Sequence, residues 1–183
     1  MRFRDIPPFT RSPNYRVDVP WSSVEDQLKS YERDACVFRQ TFEIDPDFQR
    51  GHVWDRTKQI RYVEYVLRKG VGARDIFFNS PGWMQQEVAG GRFVLVDGKQ
   101  RLEAVRSFLR GEFPACGGFY SDFTDRLPHE ASFVFRINDL PDDAAVLRWY
   151  LDLNSGGVAH SQEELDRVAT MLAQVSSNTI QHE

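Results

Sequence analysis

Hydrophobic residues recur at helical spacing in several segments of the chain, which predicts amphipathic helices. The four clearest helices are predicted for residues 57–69, 98–111, 141–154 and 161–175. A shorter helix is predicted from Ser22 or Ser23 to Arg33, because serine is a favoured residue at helix N-termini. The last helix is predicted to begin at Ser161, since Ser161-Gln162-Glu163-Glu164 matches the pattern of a capping box.

Between these helices lie short runs rich in β-branched and aromatic residues, which predict strands. The predicted strands are Val37–Ile44, Ile76–Phe78, Phe93–Val96 and Ser132–Ile137. Residues 79–92 contain one Pro-Gly step and one Gly-Gly pair, which together predict a long hairpin-like loop. Residues 1–20 contain four prolines, which oppose helix formation, so an extended arm is expected there. The chain is therefore expected to be a single domain of mixed α/β class.

Composition narrows the class of protein. Of the 183 residues, 41% are hydrophobic and 14 are Phe, enough for an ordinary core without disulfides. Cys36 and Cys116 lie far apart without zinc-ligand spacing, so reduced thiols in a cytoplasmic protein are expected. No run has the length and apolar character of a signal peptide or a membrane span, so secretion and membrane insertion are not expected.

The net charge of −4 is unevenly distributed. Residues 50–74 carry seven Arg or Lys against two acids, whereas residues 122–166 carry ten acids against three Arg. Both runs can be solvated surfaces. The basic run can instead form a pocket for phosphates, which suits an acidic protein better than a broad DNA-binding face does.

The segment Asp97-Gly98-Lys99-Gln100-Arg101 follows a predicted strand and opens a predicted helix. Helix N-termini expose unpaired N–H groups and bind anions, and glycine permits a sharp bend there. The alternative is an ordinary Asp-Gly turn in which Asp97 caps the helix. Against it, Lys99 and Arg101 place two cations where the helix dipole disfavours them, and a bound polyanion would reverse that penalty.

Two further segments contribute candidate anion ligands. In Phe48-Gln49-Arg50-Gly51-His52-Val53-Trp54, Gln49 offers hydrogen bonds and Arg50 offers a planar fork for phosphate oxygens. In Asn154-Ser155-Gly156-Gly157, the glycines can form a backbone nest before the last helix. Taken alone, each segment also fits a structural loop.

In this order, the three segments resemble the N-terminal domain of GmrSD-type restriction enzymes. The resemblance covers about residues 40–170, and it implies a fold similar to ParB and sulfiredoxin and an NTP-binding role. It implies a division into an arm with a short helix (1–36), an NTP-binding domain (37–175) and a flexible tail (176–183). In that family the domain acts together with an HNH-type nuclease domain.

The resemblance also implies roles for individual residues. The residues expected to bind nucleotide and phosphate are Gln49, Arg50, Gly98, Lys99, Gln100, Arg101, Asn154, Gly156 and Gly157. If the nucleotide is hydrolysed, Asp97 would orient Mg²⁺ or the attacking water, and Arg101 or Arg50 would stabilise charge on the transferred phosphoryl group. The family motif usually has Gln where Lys99 stands, which puts nucleotide affinity or choice in doubt.

No HNH-like segment follows, and the four histidines form no metal-site spacing. The chain is therefore expected to be the sensor half of such a system, acting with an effector nuclease or a phage or host protein. Two alternatives stay open: a ParB-like DNA-binding protein or nicking nuclease, and a non-catalytic adaptor. Sulfiredoxin-type redox chemistry is not expected, because no cysteine lies in the motif.

Overall fold

In the computed structural model, which describes residues 5–6, 10–49, 54–84, 90–155 and 162–180, a mixed sheet is flanked by helices on both faces. The strands are β1 (Tyr15–Pro20), β2 (Thr41–Glu43), β3 (Asp75–Asn79), β4 (Arg92–Asp97) and β5 (Ser132–Asn138). The helices are α1 (Val24–Val37), α2 (Arg56–Leu67), α3 (Lys99–Leu109), α4 (Asp143–Ser155) and α5 (Gln162–Ile180). This arrangement confirms the predicted α/β class.

The sheet has the order β1-β5-β3-β4-β2. Strands β1 and β5 are antiparallel, as are β3 and β4, whereas β5 pairs with β3 and β2 pairs with β4 in parallel. The carboxyl ends of β2 and β4 therefore meet at one edge of the sheet, and the chain leaves both strands there.

Strand β4 shows how one sheet supports two cores. Phe93 and Leu95 face the larger core, which is built with α1, α2 and α3. Val94 and Val96 face a second core together with residues of α4 and α5. All four side chains are buried, as expected for a strand covered by helices on both faces.

The helices predicted from hydrophobic spacing are present, and the predicted hairpin joins β3 to the antiparallel β4. The predicted strand Val37–Ile44 is wrong over its first half, because α1 continues to Val37 and the strand covers only Thr41–Glu43. Arg39 has a positive φ of 56°, a left-handed conformation of the kind that commonly ends a helix. The end of the predicted arm forms the edge strand β1, and the division of the chain into arm, domain and tail stays a prediction.

Candidate functional site

The candidate site lies where β2 and β4 end. In open α/β sheets, ligands commonly bind outside the carboxyl ends of parallel strands. Here β4 leads through Asp97 and Gly98 directly into α3. Strand β2 leads through a short loop into a 3-10 turn, Asp47–Gln49. Two of the three segments singled out in the sequence are thus brought together by the pairing of β2 with β4.

Both the backbone conformation and the close packing at Gly98 disfavour any residue other than glycine in this turn. Its φ is 102°, which L-residues rarely adopt, and it is the N-cap residue of α3. A Cβ there would lie 2.6 Å from Cδ1 of Ile76 and 3.2 Å from the carbonyl oxygen of Asp75. The backbone of β3 therefore lies directly against the turn. Because the N-cap residue is a glycine, it has no side chain that could cap the helix.

The alternative in which Asp97 caps α3 is wrong. No side chain of the described residues caps this helix, and the Oδ2 atom of Asp97 instead accepts a 2.5 Å hydrogen bond from Arg101 Nη2. Asp97 and Arg101 lie one helical turn apart and are about a quarter exposed. The described residues thus supply no side-chain cap for the first N–H groups of α3, and unpaired groups of this kind commonly bind anions in proteins.

The inner part of the Arg101 side chain is buried next to Tyr62. Its Nε atom is buried and has no hydrogen-bond partner among the described residues. Burial raises the pKa of the Tyr62 hydroxyl in α2 above its usual value. The nearby positive charge of Arg101 lowers this pKa, but by less than burial raises it. That hydroxyl stays neutral and donates to the carbonyl of Ala73. Because Nε is buried, only the exposed part of the Arg101 guanidinium can face a ligand.

The two glutamines of the motifs fasten the first loop to β4 and α3. Gln49 Nε2 donates a 2.7 Å hydrogen bond to the carbonyl oxygen of Leu95. Gln100 Oε1 accepts a 2.8 Å hydrogen bond from the backbone N–H of Trp54. Both ends of the loop that contains Arg50 are therefore held beside the start of α3. Arg50 itself lies outside the described residues.

The Lys99 side chain forms an ion pair within the protein. Its Nζ atom binds Oδ1 of Asp45, in the loop that follows β2. Only a quarter of the Lys99 side chain is exposed, compared with 62% of Asp45. The pair joins the exits of β2 and β4, so Lys99 contributes to the shape of the site as well as to its charge.

The third segment supports the site from the other face of the sheet. Asn154 is buried at the end of α4, where its Nδ2 donates a 2.6 Å hydrogen bond to the carbonyl of Tyr150. The Tyr150 ring packs edge-on against Phe48, the residue before Gln49, with 5.2 Å between ring centroids. Gly156 and Gly157 lie outside the described residues. Among the described atoms, this segment reaches the site only through the packing of Phe48.

Two supporting residues were missed in the sequence. Arg167 of α5 donates to the carbonyls of Asp47 and Phe48 at 3.0 and 3.1 Å, which holds the 3-10 turn in place. Tyr62 lies beside Arg101, as described above. Arg167 is about 120 positions away in sequence from the turn that it binds, so no local pattern indicates the contact.

Magnesium, implied by the resemblance, has one candidate ligand here. Oδ2 of Asp97 accepts a hydrogen bond from Arg101, whereas Oδ1 accepts none from the described part of the chain. No group of three or more His, Cys, Asp or Glu side chains suited to a metal occurs among the described residues. A single carboxylate fits Mg²⁺ only when phosphates and water supply the other ligands.

Within the described residues, none of the helices is long and apolar enough for a bilayer crossing.

The fold is an α/β domain in which a strand-turn-helix unit, β4 and α3, lies beside the 3-10 turn that Gln49 and Arg167 hold in place. The sequence model of a family described as the N-terminal domain of the GmrSD restriction endonuclease matches residues 25–130, more than half of the chain. The chain therefore belongs to the family of GmrSD N-terminal domains. Searches among curated proteins and among solved structures each find no match.

Proposed function

We propose that the chain binds a nucleoside triphosphate at the start of α3 and acts in the cytoplasm as a regulatory domain of a restriction-related system. The observation that carries the proposal is the uncapped helix N-terminus beside the Arg101 guanidinium, which is partly exposed and is held in place by Asp97. Gly98 lets β4 turn sharply into α3 with its backbone against β3, which fixes where the first N–H groups of the helix lie. The family membership supports a role with an effector nuclease or another protein partner.

Binding and hydrolysis of the nucleotide make different demands on the site. Positioned N–H groups and a guanidinium suffice to hold phosphates, whereas hydrolysis also requires an oriented water and a metal ion. Asp97 is the candidate for that second part, through its Oδ1 atom. In the free protein its other oxygen holds Arg101, so Asp97 also positions the residue that would neutralise phosphate charge.

Isothermal titration calorimetry with ATP, GTP, CTP, UTP and inorganic triphosphate, with and without Mg²⁺, tests the proposal. We expect micromolar binding of at least one nucleotide, and we expect Arg101→Ala to abolish it. Arg110→Ala is the matched control, because Arg110 follows the other end of α3 and is 45% exposed. If wild-type protein binds none of these ligands, the proposed function fails. Phosphate release measured on the same samples decides whether bound nucleotide is hydrolysed.

A second candidate function, binding of a DNA backbone, is favoured by the outer face of α2. Lys58, Arg61 and Arg68 are exposed on one stripe of this region, with the half-exposed ring of Tyr65 between them. None of the three cations forms an ion pair with a described residue, whereas the neighbouring Arg56 binds Glu112. Unpaired cations spaced by about one turn are suited to successive phosphates.

Fluorescence anisotropy with a DNA duplex at two salt concentrations tests this second function. Binding through three phosphate contacts would fall with salt with a log–log slope of about −3, at roughly −0.9 per contact. The combined change Lys58→Gln, Arg61→Gln and Arg68→Gln should remove it. The control, Lys29→Gln, Arg33→Gln and Arg126→Gln, removes the same charge from exposed positions elsewhere. A chain that binds neither nucleotide nor DNA would fit the remaining alternative, an adaptor.

A further inference from the structure

On the opposite side of the larger core from the candidate site, aromatic rings surround a surface cavity of about 330 Å³. It is lined by Tyr15 of β1, Asp34 and Phe38 at the end of α1, and Trp83 and Met84 after β3. Its volume is at the small end of the range for ligand pockets. None of these residues belongs to the site at the start of α3.

The rings stand at steep angles to one another around Trp83. Tyr15 and Trp83 are 5.7 Å apart with 68° between their planes, and Phe38 and Trp83 are 6.4 Å apart with 59°. Behind them, Tyr31 packs edge-on against Trp83 from the core, at 5.8 Å and 82°. Tyr31 is buried, so this packing fixes the position of the Trp83 ring from below.

The cavity also contains one unpaired charge. Asp34 is half-buried and forms no ion pair or side-chain hydrogen bond with the described residues. Glu25 of the same helix, by contrast, is more exposed and is paired with Arg106. A carboxylate held beside aromatic faces attracts a cation, whereas it would repel an anion and disfavour a purely apolar ligand.

We infer that the cavity formed by Tyr15, Asp34, Phe38, Trp83 and Met84 is a binding site for an alkylated ammonium group. A methylated ammonium is weakly hydrated and large enough to contact several ring faces at once, which is the arrangement that aromatic cages use. Asp34 supplies the charge complement, and the exposed thioether of Met84 adds a polarisable wall. The group can belong to a small molecule such as choline or to a methylated lysine side chain.

Heteronuclear NMR on the whole chain tests the site through its four tryptophan indole N–H signals. The probes are tetramethylammonium, choline and the neutral tert-butyl analogue of choline, which has nearly the same shape without the charge. We expect the Trp83 signal, assigned through Trp83→Phe, to shift in a saturable way with the two cations. The Trp149 signal should stay in place, because Trp149 belongs to the core on the other face of the sheet.

The charge is tested separately. Asp34→Asn should weaken choline binding by about fivefold to thirtyfold and leave binding of the tert-butyl analogue unchanged. Asp26→Asn is the matched control, since Asp26 is an exposed acid on the same helix. Equal affinities of the wild-type protein for choline and the tert-butyl analogue would overturn the inference, as would a Trp83 signal that no cation shifts.

The source of the group is distinguished by a third comparison. A peptide carrying trimethyllysine that binds more tightly than tetramethylammonium, while the unmodified peptide does not bind, indicates a protein partner. Choline binding more tightly than either peptide indicates a small molecule. Both results support the site, and neither depends on nucleotide binding at α3.

Discussion

At the scale of single residues, the two motif glutamines use opposite halves of their amide groups. Gln49 acts as a donor, through Nε2 to the carbonyl of Leu95, whereas Gln100 acts as an acceptor, through Oε1 from the N–H of Trp54. A carboxylate can replace an acceptor but cannot replace a donor. The same substitution therefore has different consequences at the two positions.

We expect Gln49→Glu to lower the free energy of unfolding by about 1–3 kcal/mol, because it sets a carboxylate against a carbonyl oxygen. Gln100→Glu should change it by less than about 0.5 kcal/mol, since its new oxygen still accepts from Trp54. Urea unfolding of the two variants at neutral pH measures both values. Equal destabilisation would show that the hydrogen bonds do not have these directions.

Gly98 permits a similar comparison with Gly111, which follows α3. Both have positive φ values, 102° and 73°, but only Gly98 is crowded, since nothing lies within 4 Å of a Cβ at Gly111. Gly111→Ala should cost about 1–2 kcal/mol for the backbone conformation alone. Gly98→Ala should cost clearly more, because Ile76 and the β3 backbone must also move. Thermal or urea unfolding that ranks Gly111→Ala as the worse change would contradict the close approach of β3 to the turn.

At the scale of secondary structure elements, the strand-turn-helix unit of β4 and α3 was predictable because its signals are local. A continuous apolar run, an Asp-Gly turn and helical spacing all occur within 20 consecutive residues. The start of β2 was not predictable in this way, since Val37 and Phe38 favour strand but follow the buried helical positions Leu28, Tyr31 and Ala35. The local preference was overridden by packing of α1 on the core.

Apart from the hairpin of β3 and β4, the contacts between elements could not be inferred from the sequence. The parallel register of β2 with β4 joins Thr41 to Arg92, and Arg167 binds carbonyls about 120 positions away. Such pairings depend on chain topology rather than on local pattern. The motif order therefore indicated which segments belong to a site, but it did not reveal that Gln49, Lys99 and Gln100 fasten the elements together.

One such contact has a testable pH dependence. Glu25 of α1 binds Arg106 of α3 through Nε at 2.5 Å, and this hydrogen bond lowers the pKa of Glu25 below its usual 4.5. Because the folded-state pKa is depressed, the pair stabilises the protein above pH 4.5 and loses its contribution as pH falls through the folded-state value. Glu25 is half exposed, so the contribution is limited to about 1 kcal/mol or less.

Glu25→Gln should therefore lower the free energy of unfolding at pH 7 and have little effect at pH 3. The matched control is Glu32→Gln, which neutralises an exposed acid of the same helix that forms no ion pair with a described residue. Urea unfolding across the acid range measures the difference. A difference between wild type and Glu25→Gln that persists unchanged at pH 3 would exclude the ion pair as its source.

At the scale of the whole molecule, the three proposed binding surfaces lie at different places around one sheet. The proposed nucleotide site lies at the carboxyl ends of β2 and β4, the unpaired cations follow the outer face of α2, and the aromatic cavity lies between β1, α1 and the turn after β3. The first contacts the sheet through Gly98 and Gln49, so ligand binding there is coupled to the folded core. A ligand that binds only the folded protein stabilises it by mass action.

This coupling gives a prediction for the melting temperature. At a nucleotide concentration about 100 times the Kd from calorimetry, binding adds about 2.7 kcal/mol to the free energy of unfolding. For a chain of this length, that corresponds to a rise in Tm of about 5–10 °C, at roughly 2–4 °C per kcal/mol. Arg101→Ala should show no rise, and Arg110→Ala should show the full rise at the same ligand concentration. A rise of equal size in Arg101→Ala would place the nucleotide elsewhere on the chain, because the variant leaves the Asp97 carboxylate without its Arg101 partner at the start of α3, where it repels phosphate.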